Sequence, residues 1–220
     1  MVEIENIIFD FGGVIINISH QMVENAFKAM GVGNFEALFN QASQSKLFIQ
    51  FEKGEITAAQ FRNRIRELTS LEITDEKLDE SWNQIILDYP PERIALINDI
   101  KQNYRLFLFS NTNIIHYDFY IPKFEREFGY SFESLFEKTY WSFKYEERKP
   151  DLFSYNQLLA ESSLIPAETL FIDDSIQNIL AAQEVGLNTV HITNEVDITD
   201  IFQDGKFNQA FLFKQSKSLD

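Results

Sequence analysis

The stretch Ile7-Ile8-Phe9-Asp10-Phe11-Gly12-Gly13-Val14 decides the fold. It completes an apolar, partly β-branched run that starts at Ile4, and such a run is typical of a buried strand. The run ends at Asp10, and the Gly12-Gly13 pair indicates a tight turn in which the backbone can approach another group closely. We therefore predict a buried first strand whose carboxyl end opens to solvent at Asp10.

The pattern of predicted helices and strands in the rest of the chain changes once, at Pro90-Pro91. Before it, four helix-like segments without an intervening strand cover residues 20–30, 35–50, 57–69 and 75–88. After it, helices at 92–102, 114–128, 151–161 and 176–185 alternate with strands at 105–109, 139–142, 169–172 and 189–192. The alternation predicts an α/β fold, a doubly wound parallel sheet with helices on both faces.

The two patterns, helices alone and helices alternating with strands, also predict two domains. Residues 1–16 and 90–220 form a Rossmann-like core domain, and residues 17–89 form an inserted bundle of α-helices beside it, a helical cap domain. Thr57, followed by Gln60, has the capping-box pattern of a true helix start. The tail from about residue 194 is polar and weakly patterned.

Composition narrows the classes of partner. The 220 residues include 34 acidic and 19 basic side chains, a net charge of −15, and 45% of them are hydrophobic. Such a chain can bury a core, but its surface repels nucleic acid and anionic lipid. It has no cysteine, no apolar run of the roughly 18 residues that span a membrane, and an acidic start unlike a secretory signal. We expect a cytoplasmic protein that contacts neither nucleic acid nor membrane.

Acidic side chains recur where the predicted strands end. Asp10 follows the first strand, and Asp173-Asp174 follows the fourth. Singly, Asp10 could serve as a turn residue and the pair as a helix cap. The carboxyl ends of parallel strands, however, meet at one edge of a sheet. Three carboxylates there repel one another unless a divalent cation neutralises them, and hard oxygen ligands suit Mg²⁺.

Donors and a positive charge accompany these acids. Ser110-Asn111 ends the second strand, and Lys149 lies just before a predicted helix. Together with the Gly12-Gly13 backbone they offer what a phosphoryl group needs. Alone, Lys149 would read as a solvated surface charge. The combination predicts a small phosphorylated metabolite as the partner.

Four motifs in order give these residues a family context. They are Ile7 to Val14, Leu108-Phe109-Ser110-Asn111-Thr112-Asn113, Arg148-Lys149-Pro150, and Phe171-Ile172-Asp173-Asp174-Ser175 with Asn178. With them the sequence resembles the haloacid dehalogenase-like hydrolase superfamily, whose members are mostly Mg²⁺-dependent phosphatases. Through Phe51-Glu52-Lys53-Gly54-Glu55-Ile56, and through Ser110 to Asn113 with His116, it is similar to the α-D-glucose-1-phosphate phosphatase group.

The resemblance implies a role for each site residue. Asp10 would be the nucleophile that forms an aspartyl-phosphate, and the fixed positive charge of Lys149 would offset the negative charge of that carboxylate. Mg²⁺ would be bound by the Asp10 carboxylate, the Gly12 carbonyl and the Asp174 carboxylate, with Asp173 among or directly beside the ligands. The phosphoryl group would be held by Phe11, Gly12, Ser110, Asn111 and Lys149.

Gly12 departs from the family pattern, because most of its phosphatases carry a second Asp there as general acid and base. The glucose-1-phosphatase-like group also has Gly at this position. Glu146-Glu147 stands where relatives often have a Gly. Two alternatives remain open: a 2-haloacid dehalogenase-like hydrolase, which also lacks the second Asp but needs no Mg²⁺, and a non-catalytic phosphate-binding protein on the same fold.

Overall fold

A computed structural model describes residues 3–44 and 46–213 of the chain. Its main strands are β1 (Asn6–Phe9), β2 (Arg105–Ser110), β3 (Lys138–Trp141), β4 (Thr169–Asp173) and β5 (Asn188–His191). They form one parallel sheet in the order β3-β2-β1-β4-β5. Ile7 and Phe9 pack into one apolar cluster and Ile8 into another, so β1 is buried on both faces. The predicted doubly wound α/β fold is confirmed.

The helices flank this sheet and build the insertion. They are α1 (His20–Ala29), α2 (Phe35–Gln44), α3 (Leu47–Glu52), α4 (Ala58–Thr69), α5 (Asp75–Trp82), α6 (Pro91–Ile100), α7 (Ile114–Phe128), α8 (Ser142–Tyr145), α9 (Leu152–Glu161) and α10 (Ile176–Glu184). The single helix expected over 35–50 is wrong. Lys46, with φ +59°, adopts the left-handed conformation between α2 and α3, and the turn lets Leu47 and Phe51 become buried.

The first five helices share their own apolar cluster. Phe27, Phe51, Phe61 and Leu78 lie in it, and Ile115 of α7 is the buried residue that joins it from the core. The capping box at Thr57 is confirmed, because Thr57 accepts from the Gln60 amide and the Gln60 side chain accepts from the Thr57 amide. The helix expected over 75–88 ends at Trp82 and continues as a 3-10 turn over Asn83–Ile85.

The two connections between the insertion and the sheet domain run side by side. The Asn17 amide donates to the Asp88 carbonyl at 2.9 Å, and the Leu87 amide donates to the Asn17 carbonyl at 3.0 Å. Tyr89, just beyond, is buried in the core of the sheet domain. This arrangement supports a boundary near residues 17 and 89, which stays a prediction.

The tail is better ordered than its sequence pattern indicates. A short hairpin pairs β6 (Phe202–Gln203) with β7 (Lys206–Phe207). Ile198 and Ile201 before it are completely buried. Residues 214–220 lie outside the described residues. No helix within 3–44 and 46–213 is long and apolar enough to cross a membrane.

Excising the insertion tests the predicted boundary. We expect a chain in which a short Gly-Ser linker replaces residues 18–87 to unfold cooperatively and to retain its affinity for Mg²⁺, because Asn17 and Asp88 already lie in hydrogen-bond contact. The measurements are denaturant unfolding followed by circular dichroism and Mg²⁺ titration by calorimetry. Loss of the cooperative transition would mean that the insertion and the sheet share one core.

Candidate active site

Lys149 is the centre of the polar residues at the carboxyl edge of the sheet. Its Nζ donates to Asp10 Oδ1 and to Asp173 Oδ2, both at 2.6 Å. The side chain is 1% exposed, and Nζ lies 5.4 Å from the centres of the Phe109 and Phe171 rings. A buried ammonium between two carboxylates and two ring faces is a fixed positive charge. The interpretation of Lys149 as a solvated surface charge is therefore wrong.

Strand register brings the two carboxylates together. Phe9 of β1 lies opposite Ile172 of β4, so the next residues, Asp10 and Asp173, are also neighbours. The Asp10 amide extends the ladder by donating to the Ile172 carbonyl at 2.8 Å. Since parallel strands end at one edge of the sheet, this proximity follows from the register.

Asp174 completes a group that we call the carboxylate cluster, Asp10, Asp173 and Asp174. Each offers an oxygen within 4.8 Å of the others. Burial raises the pKa of Asp10 to about 7 against the effect of Lys149, and burial with the charge of Asp173 raises the pKa of Asp174. A divalent cation would relieve this cost, and an all-oxygen donor set fits Mg²⁺.

Gly13 makes room for one of these carboxylates. Its φ is +78°, and a Cβ on it would lie 2.4 Å from Asp174 Oδ2. Asp173 is held differently: its Oδ1 accepts from the Ser175 amide at 2.8 Å, and Asn178 Nδ2 reaches both of its oxygens at 3.0 and 3.1 Å. With Lys149 on Oδ2, Asp173 has protein donors on both oxygens.

Asn111 has a role that the sequence did not reveal. Its Nδ2 donates to the Lys149 carbonyl, and its Oδ1 accepts from the Lys149 amide, both at 2.9 Å. The resemblance implied a backbone contact to phosphate, whereas the side chain clamps the loop that carries Lys149. The two residues are 38 positions apart, so no local pattern signals the pair.

Two other expected phosphoryl ligands have buried side chains. Phe11 packs against Tyr120 and Trp141, with ring centres 4.6 and 5.5 Å away, so its backbone is the part that remains for the expected contact with phosphate. Ser110 is 2% exposed at the end of β2. The glycine turn keeps Gly12 at the cleft surface.

A cleft of about 930 Å³ separates this edge from the insertion. On the core side it is lined by Asp10, Gly12, Asn111, Lys149 and Asp174, and on the other side by Phe35, Phe39, Phe48, Phe51 and Trp82. Phe51 and Trp82 pack within the bundle and also face the cleft, since both contact Phe61 and both line the cleft.

The insertion is docked beside Lys149. Glu52 Oε2 accepts from Arg148 Nε at 2.9 Å. A Cβ on Gly54, whose φ is +69°, would lie 2.4 Å from the Phe143 carbonyl oxygen, so the two backbones touch. Glu146, with φ +61°, adopts the left-handed conformation in this loop. These contacts place the 51–56 stretch against the loop that Asn111 clamps.

Comparisons with known proteins agree with this geometry. The model of the family described as haloacid dehalogenase-like hydrolase matches residues 7–192. D-ribitol-5-phosphate phosphatase of Bacteroides thetaiotaomicron is 30% identical over 195 residues, covering 88% of this chain and 94% of that protein. A HAD family enzyme of the same organism, solved in complex with magnesium and inorganic phosphate, has a TM-score of 0.81 and 34% identity, covering 91% of this chain and all of that chain.

L-2-haloacid dehalogenase of Xanthobacter autotrophicus is more distant. It has a TM-score of 0.58 and 16% identity, covering 87% of this chain and 80% of that chain. This likeness shows a shared fold alone.

The contact of Gly13 with Asp174 yields a prediction. Gly13→Ala is expected to lower the free energy of unfolding by about 1–2 kcal/mol, because alanine is strained at positive φ, and to weaken Mg²⁺ binding by displacing Asp174. Gly12→Ala is the matched control for stability, since its Cβ meets only the Ile18 side chain, at 3.5 Å. Denaturant unfolding and Mg²⁺ titration measure both effects. Equal behaviour of the two variants would contradict the proposed fit.

Proposed function

Because the chain belongs to the haloacid dehalogenase-like hydrolase family, we propose that it hydrolyses the phosphate monoester of a small polyhydroxylated compound with Asp10 as the nucleophile. The chain is a phosphoric monoester hydrolase, and its cofactor is Mg²⁺. The observation that carries the proposal is the contact of Lys149 Nζ with Asp10 and Asp173, 2.6 Å each, beside a cleft large enough for such a compound.

The proposed mechanism assigns covalent chemistry to Asp10. A carboxylate oxygen of Asp10 attacks phosphorus, and the bond from phosphorus to the ester oxygen breaks, which leaves an aspartyl-phosphate and an alkoxide that takes its proton from solvent water. A water molecule then attacks phosphorus and gives up a proton to solvent, the bond from phosphorus to the Asp10 oxygen breaks, and phosphate departs while the Asp10 carboxylate is restored. Lys149 stabilises the ionised nucleophile and, with the backbone of Phe11, Gly12 and Asn111, the phosphoryl oxygens.

The remaining polar groups bind the cofactor or orient Lys149. The Asp10 carboxylate, the Gly12 carbonyl and the Asp174 carboxylate would hold Mg²⁺, which when bound neutralises negative charge on the phosphoryl group. Asp173, with protein donors on both oxygens, orients Lys149 beside these ligands instead of adding a further one. Ser110, at the end of β2, is proposed to donate its buried hydroxyl to a phosphoryl oxygen.

Two alternatives make different demands on the site. Dehalogenation needs no metal, whereas three neighbouring carboxylates are better explained as a site for a divalent cation. A silent binding protein would keep the cleft and bind phosphate without turnover. Mg²⁺-dependent release of phosphate separates both from the proposal.

The substrate is the finer part of the proposal. The relative named D-ribitol-5-phosphate phosphatase supports a sugar alcohol phosphate or sugar phosphate. Gly12 brings no acid to the leaving group, which favours esters whose alcohol departs readily, such as sugar 1-phosphates. The proposed substrates therefore include sugar alcohol phosphates and sugar 1-phosphates. The helical cap over residues 17–89 is proposed to select among them.

The nucleophile is tested by substitution. Asp10→Asn keeps the shape of the side chain but removes the attacking oxygen's charge, so kcat with Mg²⁺ should fall by several powers of ten. Phosphate release from p-nitrophenyl phosphate, with and without chelator, is the measurement. Asp118→Asn, an exposed acid on α7, is the control. Near-normal activity of Asp10→Asn would contradict the mechanism.

The absence of an acid at Gly12 predicts a preference between two glucose phosphates. We expect kcat/KM for glucose 1-phosphate to exceed that for glucose 6-phosphate, because the anomeric oxygen needs less protonation as it leaves. Gly12→Asp should narrow the gap, and a Cβ at this position would meet the Ile18 side chain at an ordinary contact distance of 3.5 Å. A wild-type ratio below one would rule out this explanation and leave selection to the cap.

A further inference from the structure

His116 is a cleft residue to which the mechanism assigns no role. It lies in the first turn of α7, where its amide donates to the Asn113 side chain. Its ring is parallel to that of Trp82, with centres 5.4 Å apart and planes inclined by 8°. Phe48 stacks on Trp82 in turn, at 5.5 Å and 9°. The imidazole is thus the last ring of a stack that extends from the insertion to the core.

One nitrogen of this ring is already bonded. His116 Nδ1 lies 2.9 Å from Asn83 Oδ1, an amide oxygen that can only accept, so Nδ1 carries the hydrogen. Burial lowers the pKa of His116 to about 3, which keeps the ring neutral. Nε2 then presents a lone pair, and among the side chains and backbone groups that the structure describes, which leave out the side chains of residues 41 and 44, no donor bonds to it. His116 lines the same cleft as Asp10 and Lys149.

We propose that His116 Nε2 accepts a hydrogen bond from a hydroxyl group on the carbon chain of the substrate. This makes His116 a specificity-determining residue, and the inference rests on the proposed function. Because no described donor of the protein occupies this neutral acceptor, a substrate that brings a hydroxyl donor gains a hydrogen bond there. Stacked aromatic rings beside it suit the apolar C–H groups of the same chain.

Asn83 and Trp82 position the acceptor. Both belong to the predicted cap, whereas His116 belongs to the predicted core domain. Asn83 selects the tautomer and Trp82 fixes the ring plane. The acceptor is therefore presented correctly only where the insertion is seated against α7, which couples recognition of the hydroxyl to the docked position of the insertion.

Two substrates separate recognition from chemistry. Ribitol 5-phosphate offers several hydroxyl groups, and p-nitrophenyl phosphate offers none outside its phosphate. In His116→Phe, which keeps a ring for stacking, the ratio of kcat/KM for ribitol 5-phosphate to that for p-nitrophenyl phosphate should fall about tenfold, mainly through KM. Tyr117→Phe, which removes a hydroxyl bonded to Glu133 one position further along α7, is the matched control and should keep the wild-type ratio.

Asn83 provides a second pair of variants. Asn83→Leu should lower the ratio as His116→Phe does, whereas Asn83→Asp, which keeps an acceptor for Nδ1–H, should retain most of it. Nitrogen NMR of the labelled imidazole should show hydrogen on Nδ1 in the wild-type enzyme and in Asn83→Asp. This readout does not depend on turnover.

The outcomes distinguish the inference from the proposed function. An unchanged ratio in His116→Phe and Asn83→Leu would overturn the inference alone, as would hydrogen on Nε2 in the wild-type enzyme. An equal fall for both substrates would do the same, because it would assign His116 to chemistry or folding. Absence of Mg²⁺-dependent turnover of both substrates by the wild-type enzyme would overturn the proposed function and this inference with it.

Discussion

The site depends on one electrostatic constraint, the need to neutralise carboxylates that β1 and β4 bring to the same buried edge. Lys149 neutralises part of this negative charge, because its ammonium lies 2.6 Å from both Asp10 and Asp173. Removing one partner of such a buried pair typically costs about 3–5 kcal/mol. Arg148, the other Lys or Arg among the described residues that line the cleft, is already paired with Glu52. The position of Lys149 is therefore the feature that the surrounding structure must maintain.

Several contacts maintain it. Asn111 bonds the Lys149 backbone on both sides, and Asn178 holds Asp173 in place to receive the ammonium. The insertion adds the Glu52–Arg148 pair at the neighbouring residue. Both side chains of this pair are 26% exposed, and ion pairs that water reaches are individually weak, so we interpret the pair as aligning the insertion with the site and not as a main source of stability. The aromatic contact of Trp82 with His116 aligns the opposite side of the cleft.

The sequence predicted the parts of the site that depend on strand ends. Asp10, Asp173 and Asp174 could be grouped because parallel strands end at one edge, and strand type follows from apolar runs. The division between α2 and α3 was missed, because a continuous helical pattern gives no sign of a left-handed turn at Lys46. The backbone role of Asn111 and the phosphate contact of Phe11 stay predictions, but the contacts of their side chains could not be predicted, because the direction of a side chain depends on packing partners far away in the chain. The burial of Ile198 and Ile201 in the tail also depends on such distant partners, since both pack into the apolar cluster of the sheet domain.

Covalent trapping tests the central claim, that Asp10 held by Lys149 becomes phosphorylated during turnover. The enzyme is mixed with Mg²⁺ and substrate, quenched in acid during the first turnover and reduced with borohydride, which converts an aspartyl-phosphate to homoserine. Peptide mass spectrometry then locates the product. We expect homoserine at position 10 and at no other acidic residue. Release of phosphate with Asp10 unmodified, or homoserine at a different position, would contradict it.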